Sequence, residues 1–225
     1  MKLSTYFLAT ALLLSNSVAQ AGVIVGGTRV IYNGDKKETS LHLKNPDKSS
    51  YLIQSWVDGD PQTNAKAPFI ITPPLFRLGA TEENALRIIR AGGNLPTDRE
   101  TMYWMNIKTI PATEKQENVN TLQIAIKTRI KLIYRPHEIS STLPEQVVKN
   151  LTWRRSGQQI TVTNPTAYYM NFSQVKIGGK ALPDATYVAP MSSATFQIPA
   201  NTTGNVSWTI ISDYGAAGDV HNASL

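Results

Sequence analysis

Cysteine is absent from the 225-residue chain, which excludes a disulfide framework, a thiolate metal site and a cysteine nucleophile. Charge is sparse at 17% Asp, Glu, Lys and Arg, and no block of like charge forms an acidic or basic tail. The three histidines, His42, His137 and His221, stand too far apart for a helical pair or a metal-ligand motif. No Gly-x-Ser-x-Gly elbow and no phosphate-binding glycine loop occurs, and Gly26-Gly27 and Gly92-Gly93 read as turn pairs. Glu82-Glu83 is a carboxylate pair, but neighbours on a strand point to opposite faces and cannot share a site. The expectation is a protein without catalysis, metal or cofactor.

What is present starts with an export signature. Lys2 precedes the apolar stretch Tyr6 to Leu14 and the small-residue box Ala19-Gln20-Ala21. A charged start, a short apolar core and an A-x-A site read as a cleavable secretory signal over residues 1–21. The apolar stretch falls short of the ~20 residues a spanning helix needs, and no later stretch reaches it, so no membrane insertion is expected. The formal charge of +6 admits nucleic acid, an acidic partner or plain solubility; export argues against nucleic acid.

The rest alternates short β-patterned runs with turn chemistry. Arg29-Val30-Ile31-Tyr32 stops at Asn33-Gly34-Asp35, Ser40 to Lys44 alternates with period two, and Tyr51 to Val57 ends at Asp58-Gly59-Asp60-Pro61. Phe69-Ile70-Ile71-Thr72 runs into Pro73-Pro74, which no central strand accommodates. Ala85 to Ile89 admits a helical face but, flanked by strands, is read as a strand. Val119 to Tyr134 lacks Gly and Pro and keeps Leu122, Ile124, Ile126, Ile130, Leu132 and Tyr134 on one parity. At ~3.3 Å per residue that stretch would span roughly 50 Å. It is read either as two strands with a bulge or as one strand projecting beyond its sheet. Arg135-Pro136 closes it, Pro144 to Val148 suggests one helical turn, and strand candidates resume at Trp153. Strands spaced roughly every 8–12 residues indicate two immunoglobulin-type sandwiches, over 22–140 and 141–225.

Several strings carry a family resemblance: Thr28 to Tyr32, Tyr51 to Val57, Phe69 to Arg77, Asn94-Leu95-Pro96-Thr97-Asp98-Arg99-Glu100 running on to Asn106, and Arg129-Ile130-Lys131-Leu132-Ile133-Tyr134-Arg135-Pro136. Weaker ones are Asn164 to Tyr169 and Asp213-Tyr214-Gly215. The sequence resembles the periplasmic pilus-assembly chaperones of Gram-negative bacteria, of the P-pilus and type 1 fimbrial kind. The short segment Ala112 to Thr121 is similar to their short-loop subgroup. The tail from Ala216 to Leu225 matches no pattern of the family.

The resemblance implies an all-β fold of two immunoglobulin-like domains arranged in an L with a cleft between them. It implies a periplasmic chaperone that binds, folds and caps pilin subunits by donor-strand complementation and delivers them to an outer-membrane usher. The lent strand would present Leu122, Ile124 and Ile126 to the subunit's groove, about 7 Å apart. Arg29 and Lys131 match the pair that holds the pilin C-terminal carboxylate. Lys131 has the opposite parity to the groove row, so an uninterrupted strand turns it away unless twist or a bulge re-aims it. Glu100, Arg135 and Asp213 match the interdomain salt-bridge network, and exposed residues near Leu52 are the expected usher contact. The alternative from another class is a secreted β-sandwich adhesin or carbohydrate-binding module, which would show an aromatic platform and no need for Arg29.

Overall fold

The computed structural model describes residues 22–59, 66–112 and 122–225. The expected signal over 1–21 and most of the segment from Ala112 to Thr121 lie outside the described residues. The first domain contains β1 (Ile24–Val25), β2 (Arg29–Asn33), β3 (Glu38–Lys44), β4 (Tyr51–Asp58), β5 (Phe69–Thr72), β6 (Leu75–Leu78), β7 (Glu83–Arg90), β8 (Thr101–Pro111) and β9 (Ile126–Arg135). They build two sheets, β1-β3-β7-β5 and β2-β9-β8-β4-β6. Pro73-Pro74 separates β5, on the edge of one sheet, from β6, on the edge of the other. The prolines thus fall where the chain changes sheets and no ladder needs their missing N–H groups.

Alternation builds the core of this sandwich. Leu41, Leu43, Leu86 and Ile88 from one sheet meet Ile53, Met105, Ile107 and Leu132 from the other, all buried. The rings of Tyr32, Phe69, Tyr103 and Tyr134 pack at one end, with Phe69 5.2 Å from both Tyr32 and Tyr103.

The two domains join through a 3-10 turn, His137–Ile139, and a one-turn helix α1 (Pro144–Val147). The second domain contains β10 (Thr152–Ser156), β11 (Gln159–Asn164), β12 (Met170–Ile177), β13 (Lys180–Ala181), β14 (Tyr187–Val188), β15 (Ser192–Gln197), β16 (Val206–Ile210) and β17 (His221–Ala223). Its sheets run β10-β11-β15 and β13-β12-β16-β17, with β14 added to β12. A separate core of Ile160, Val162, Met170, Ile177, Val206 and Trp208 fills it, and Ile139 packs against this core. The fold is all-β with two immunoglobulin-like sandwiches, as the strand spacing predicts. The unassigned tail supplies β17, which pairs Ala223 with Val206 and His221 with Trp208. Three residues with no β-branched side chain carry too little pattern to reveal a strand that a neighbouring edge recruits.

The long apolar stretch requires a correction. β9 begins at Ile126, and Leu122 to Ala125 precede it without strand pairing. Ile126 opposite Thr109 is the last β8–β9 pair, although β8 itself runs on to Pro111, which pairs with Tyr51 of β4 and has no N–H to offer a continuing ladder. Local β-propensity does not know where pairing stops. The β8–β9 register runs unbroken from Ile126 to Tyr134, so no bulge interrupts β9.

Candidate functional site

β2 and β9 pair in parallel, and their register sets Arg29 directly beside Lys131. Since Ile130, Leu132 and Tyr134 face the first core, the alternation of β9 turns Lys131 to the opposite face, toward the second domain. There its ammonium donates to Asn171 Oδ1 at 2.5 Å and stands 4.6 Å from the centre of the Tyr187 ring. Arg29 Nη1 donates to the Ile211 carbonyl, also in the second domain, at 3.4 Å. The missing bulge therefore matters: Lys131 does leave the face of the apolar row, and in doing so it reaches the neighbouring domain.

The electrostatics of this pair are unfavourable as it stands. Neither cation has a carboxylate at salt-bridge distance among the described residues. Arg29 Nε is buried with no hydrogen-bond partner. Burial, followed by the charge of Arg29, pushes the Lys131 ammonium down to about 8. Burial also lowers Arg29, and the charges of Asp213 and Glu145 work against that loss. Two partly desolvated cations side by side favour a nearby negative charge. A guanidinium and an ammonium together match a carboxylate, the first by its planar fork and the second as a point charge. A cavity of about 470 Å³ opens beside Lys131, walled by Phe172, Val175, Leu182, Pro183 and Thr186.

On the other face of β9, the row that begins with buried Ile130, Leu132 and Tyr134 continues outward as Ile126, Ile124 and Leu122, which are 52%, 65% and 84% exposed. Only Ile126 belongs to the strand. β2 covers β9 from Lys131 to Arg135 only, so the β9 edge from Ile126 to Ile130 has a neighbour on the β8 side alone. An apolar row along an open edge is what strand addition uses: the main chain binds and alternate side chains select.

Arg135 ends β9 and ties the domains together. Its Nε donates to Glu100 Oε1 at 2.7 Å, and its two terminal nitrogens grip Asp213 at 2.7 and 2.9 Å. Glu100 also accepts from the Tyr169 N–H at 2.7 Å, and its own N–H donates to the Ala167 carbonyl at 2.9 Å. Glu100 and Arg135 are 2% and 5% exposed. Burial opposes the charge on Arg135, but the Asp213 hydrogen bonds and the Glu100 charge outweigh it and raise its pKa. Burial pushes Glu100 up, and Arg135 and the Tyr169 N–H restrain it.

All eight predicted site residues thus fall in three groups: the pair Arg29 and Lys131, the row Leu122, Ile124 and Ile126, and the cluster Glu100, Arg135 and Asp213. Sequence reading missed Asn171 and Tyr187, which receive the Lys131 ammonium, and Glu145, whose charge reaches Arg29. No spacing signals them, because all three come from the second half of the chain to meet strands of the first.

Comparison with known proteins identifies the family. Residues 22–140 match the family described as the pili and flagellar-assembly chaperone, PapD N-terminal domain, and residues 146–221 match the pili assembly chaperone PapD, C-terminal domain. The chain is 43% identical to the chaperone protein FimC of Escherichia coli over 88% of this chain and 82% of that one. It is 42% identical to the chaperone protein LpfB of Salmonella typhimurium over 95% and 93%. Among solved structures it is similar to the Salmonella enterica SafA pilin complex with the SafB chaperone, with a TM-score of 0.85 at 37% identity over 92% and 97%. It is also similar to the periplasmic chaperone SfaE, with a TM-score of 0.77 at 40% identity over 91% and 100%. With both of its domains matched and relatives above 40% identity along most of its length, the chain belongs to the PapD-type family of pilus-assembly chaperones.

Proposed function

We propose that this chaperone works in the periplasm, where it captures pilin subunits by lending them a strand, holds their C-terminal carboxylate on Arg29 and Lys131, and passes them to an outer-membrane usher. Residues 1–21 act as the export signal, 22–140 form the donor domain and 141–225 the second domain. The observation that carries the reading is the pair of partly buried cations, adjacent in register, that meets no carboxylate of the described chain. A chain-end carboxylate there fixes the subunit's register, and a one-residue slip would turn every apolar side chain outward. Leu122, Ile124 and Ile126 then enter successive groove pockets. For the usher, Leu52 and Leu75, both exposed on the neighbouring strands β4 and β6, offer an apolar contact.

No covalent step or nucleotide enters this scheme, because the subunit is held incompletely packed and relaxes when the next subunit's extension replaces the chaperone strand. The reading is tested by Arg29→Ala. This variant is expected to fold, with an unchanged far-ultraviolet dichroism spectrum, and to lose co-purification of pilin from the periplasm. Recovery of pilin at wild-type level by the folded variant would refute it.

A further inference from the structure

The second domain builds a seat for Lys131. Asn171 of β12 and Tyr187 of β14 are directly opposite partners in register, so their side chains leave the same face of that sheet. Both meet one ammonium of the first domain. Asn171 Oδ1 accepts from Lys131 Nζ at 2.5 Å, and the centre of the Tyr187 ring lies 4.6 Å from the same nitrogen. The Trp104 ring of β8 adds a second π-face at 6.0 Å. Asn171 is buried, and β12 is held two residues upstream, where the Tyr169 N–H donates to Glu100, itself bound to Arg135. The interdomain cluster thus carries the seat to the lysine.

The chemistry of the seat is selective in what it withholds. The groups that reach Lys131, namely Arg29 from β2, Trp104 from β8, Asn171 from β12 and Tyr187 from β14, are cationic or neutral. Stability alone would favour an acid at position 171, which would relieve two partly desolvated cations at once. A carboxamide oxygen and a ring face steady an ammonium without cancelling its charge. An ammonium has three donors, so the one given to Asn171 leaves others for an incoming anion.

We propose that Asn171 and Tyr187 form a neutral seat that positions the Lys131 ammonium across the domain boundary and keeps its charge available for the subunit's chain-end carboxylate. Both are positioning residues: they act on the anchor through Lys131. The proposal rests on the carboxylate-anchoring reading above.

The test measures binding of two synthetic peptides of alternating valine and threonine, one ending in a free carboxylate and one in an amide, by wild-type chaperone and three variants. Asn171→Asp puts a carboxylate where the amide oxygen stands, and is expected to weaken the free acid at least about tenfold while the amide binds as before. Tyr187→Leu is expected to weaken the free acid about three- to tenfold, and Tyr187→Phe, which keeps the ring, to bind it as wild type does. A merely structural role for the two residues would move both peptides together and overturns the proposal. So does a folded Asn171→Asp that prefers the free acid by the wild-type ratio, or a Tyr187→Phe that binds it no better than Tyr187→Leu. If Asn171→Asp fails to fold, as read from its far-ultraviolet dichroism spectrum, the two Tyr187 variants decide alone. If wild-type chaperone does not distinguish acid from amide, the anchoring reading fails and the proposal falls with it. If it does distinguish them and the variants keep its ratio, only the proposal falls.

Discussion

Lys131 shows how position makes an ordinary residue specific. Its ammonium, held near 8 by burial and by the adjacent Arg29, loses its proton in the free chaperone as the pH rises through that value. A bound carboxylate favours the ammonium and raises its pKa, so above pH 8 the complex holds more protons than its free parts. Subunit affinity is therefore expected to be flat below about pH 7 and to fall above pH 8 by up to about tenfold per unit, as dissociation constants measured from pH 6.5 to 9.5 would show. Lys131→Arg is expected to flatten that profile, because a guanidinium stays charged across the range. The sign for folding is the reverse. Ordinary lysine titrates at 10.5, so from about pH 8 to 10.5 the unfolded chain holds the extra proton and this residue adds stability as pH rises. Affinity and stability moving in opposite directions over one pH interval distinguish a frustrated cation from a merely structural one. Arg29 and Lys131 were legible as residues only through the motifs that contain them, since an arginine and a lysine on strands are usually solvated.

At the scale of the element, β9 is one strand whose apolar row has two environments, divided along its length. Toward its C-terminal end its apolar side chains fill the first core, and toward its N-terminal end the same parity is left in solvent. The alternation of Leu122, Ile124 and Ile126 could be read from sequence. The start of the strand could not, because the β8–β9 ladder stops at Thr109, two residues before β8 itself ends. Ile124, 65% exposed and outside the strand, separates folding from capture. Ile124→Asp is expected to change the stability of the free chaperone by less than ~0.5 kcal/mol, as for other surface substitutions. It is also expected to weaken subunit binding at least about tenfold, since it puts a charge into an apolar pocket. Thermal denaturation and protection of pilin from periplasmic proteolysis measure the two effects, and unchanged protection would count against strand lending. Strands β15 and β17 were not foreseen, for the related reason that Ser192–Gln197 and His221–Ala223 have little apolar pattern of their own and are strands because β11 and β16 offer them edges.

At the scale of the whole molecule, the decisive contacts lie between domains whose cores are separate. Arg135 holds Glu100 and Asp213 at 2.7 Å, with Arg135 and Glu100 almost closed to solvent and Asp213 partly open; removing it leaves two acids without their partner. Arg135→Met is expected to lower stability by about 3 kcal/mol, read from the midpoint of urea denaturation. Arg87→Met breaks the still shorter pair with Glu38, but that pair is exposed, and a loss within ~1 kcal/mol is expected. The absence of cysteine, the turn chemistry and the period-two runs were enough to determine an all-β, two-sandwich protein from sequence, and the strings around Glu100 and Lys131 were enough to determine the family. These are local properties, written in neighbouring residues. Which cations are satisfied and which are not was decided only by the tertiary structure, because a charge's environment is summed over every group that folding brings near it. Arg135 finds Asp213 and so closes the domain joint. Arg29 and Lys131, a few residues away on paired strands, meet a carbonyl, an amide oxygen and aromatic rings but no carboxylate at salt-bridge distance among the described residues, and remain suited to an anion from another chain.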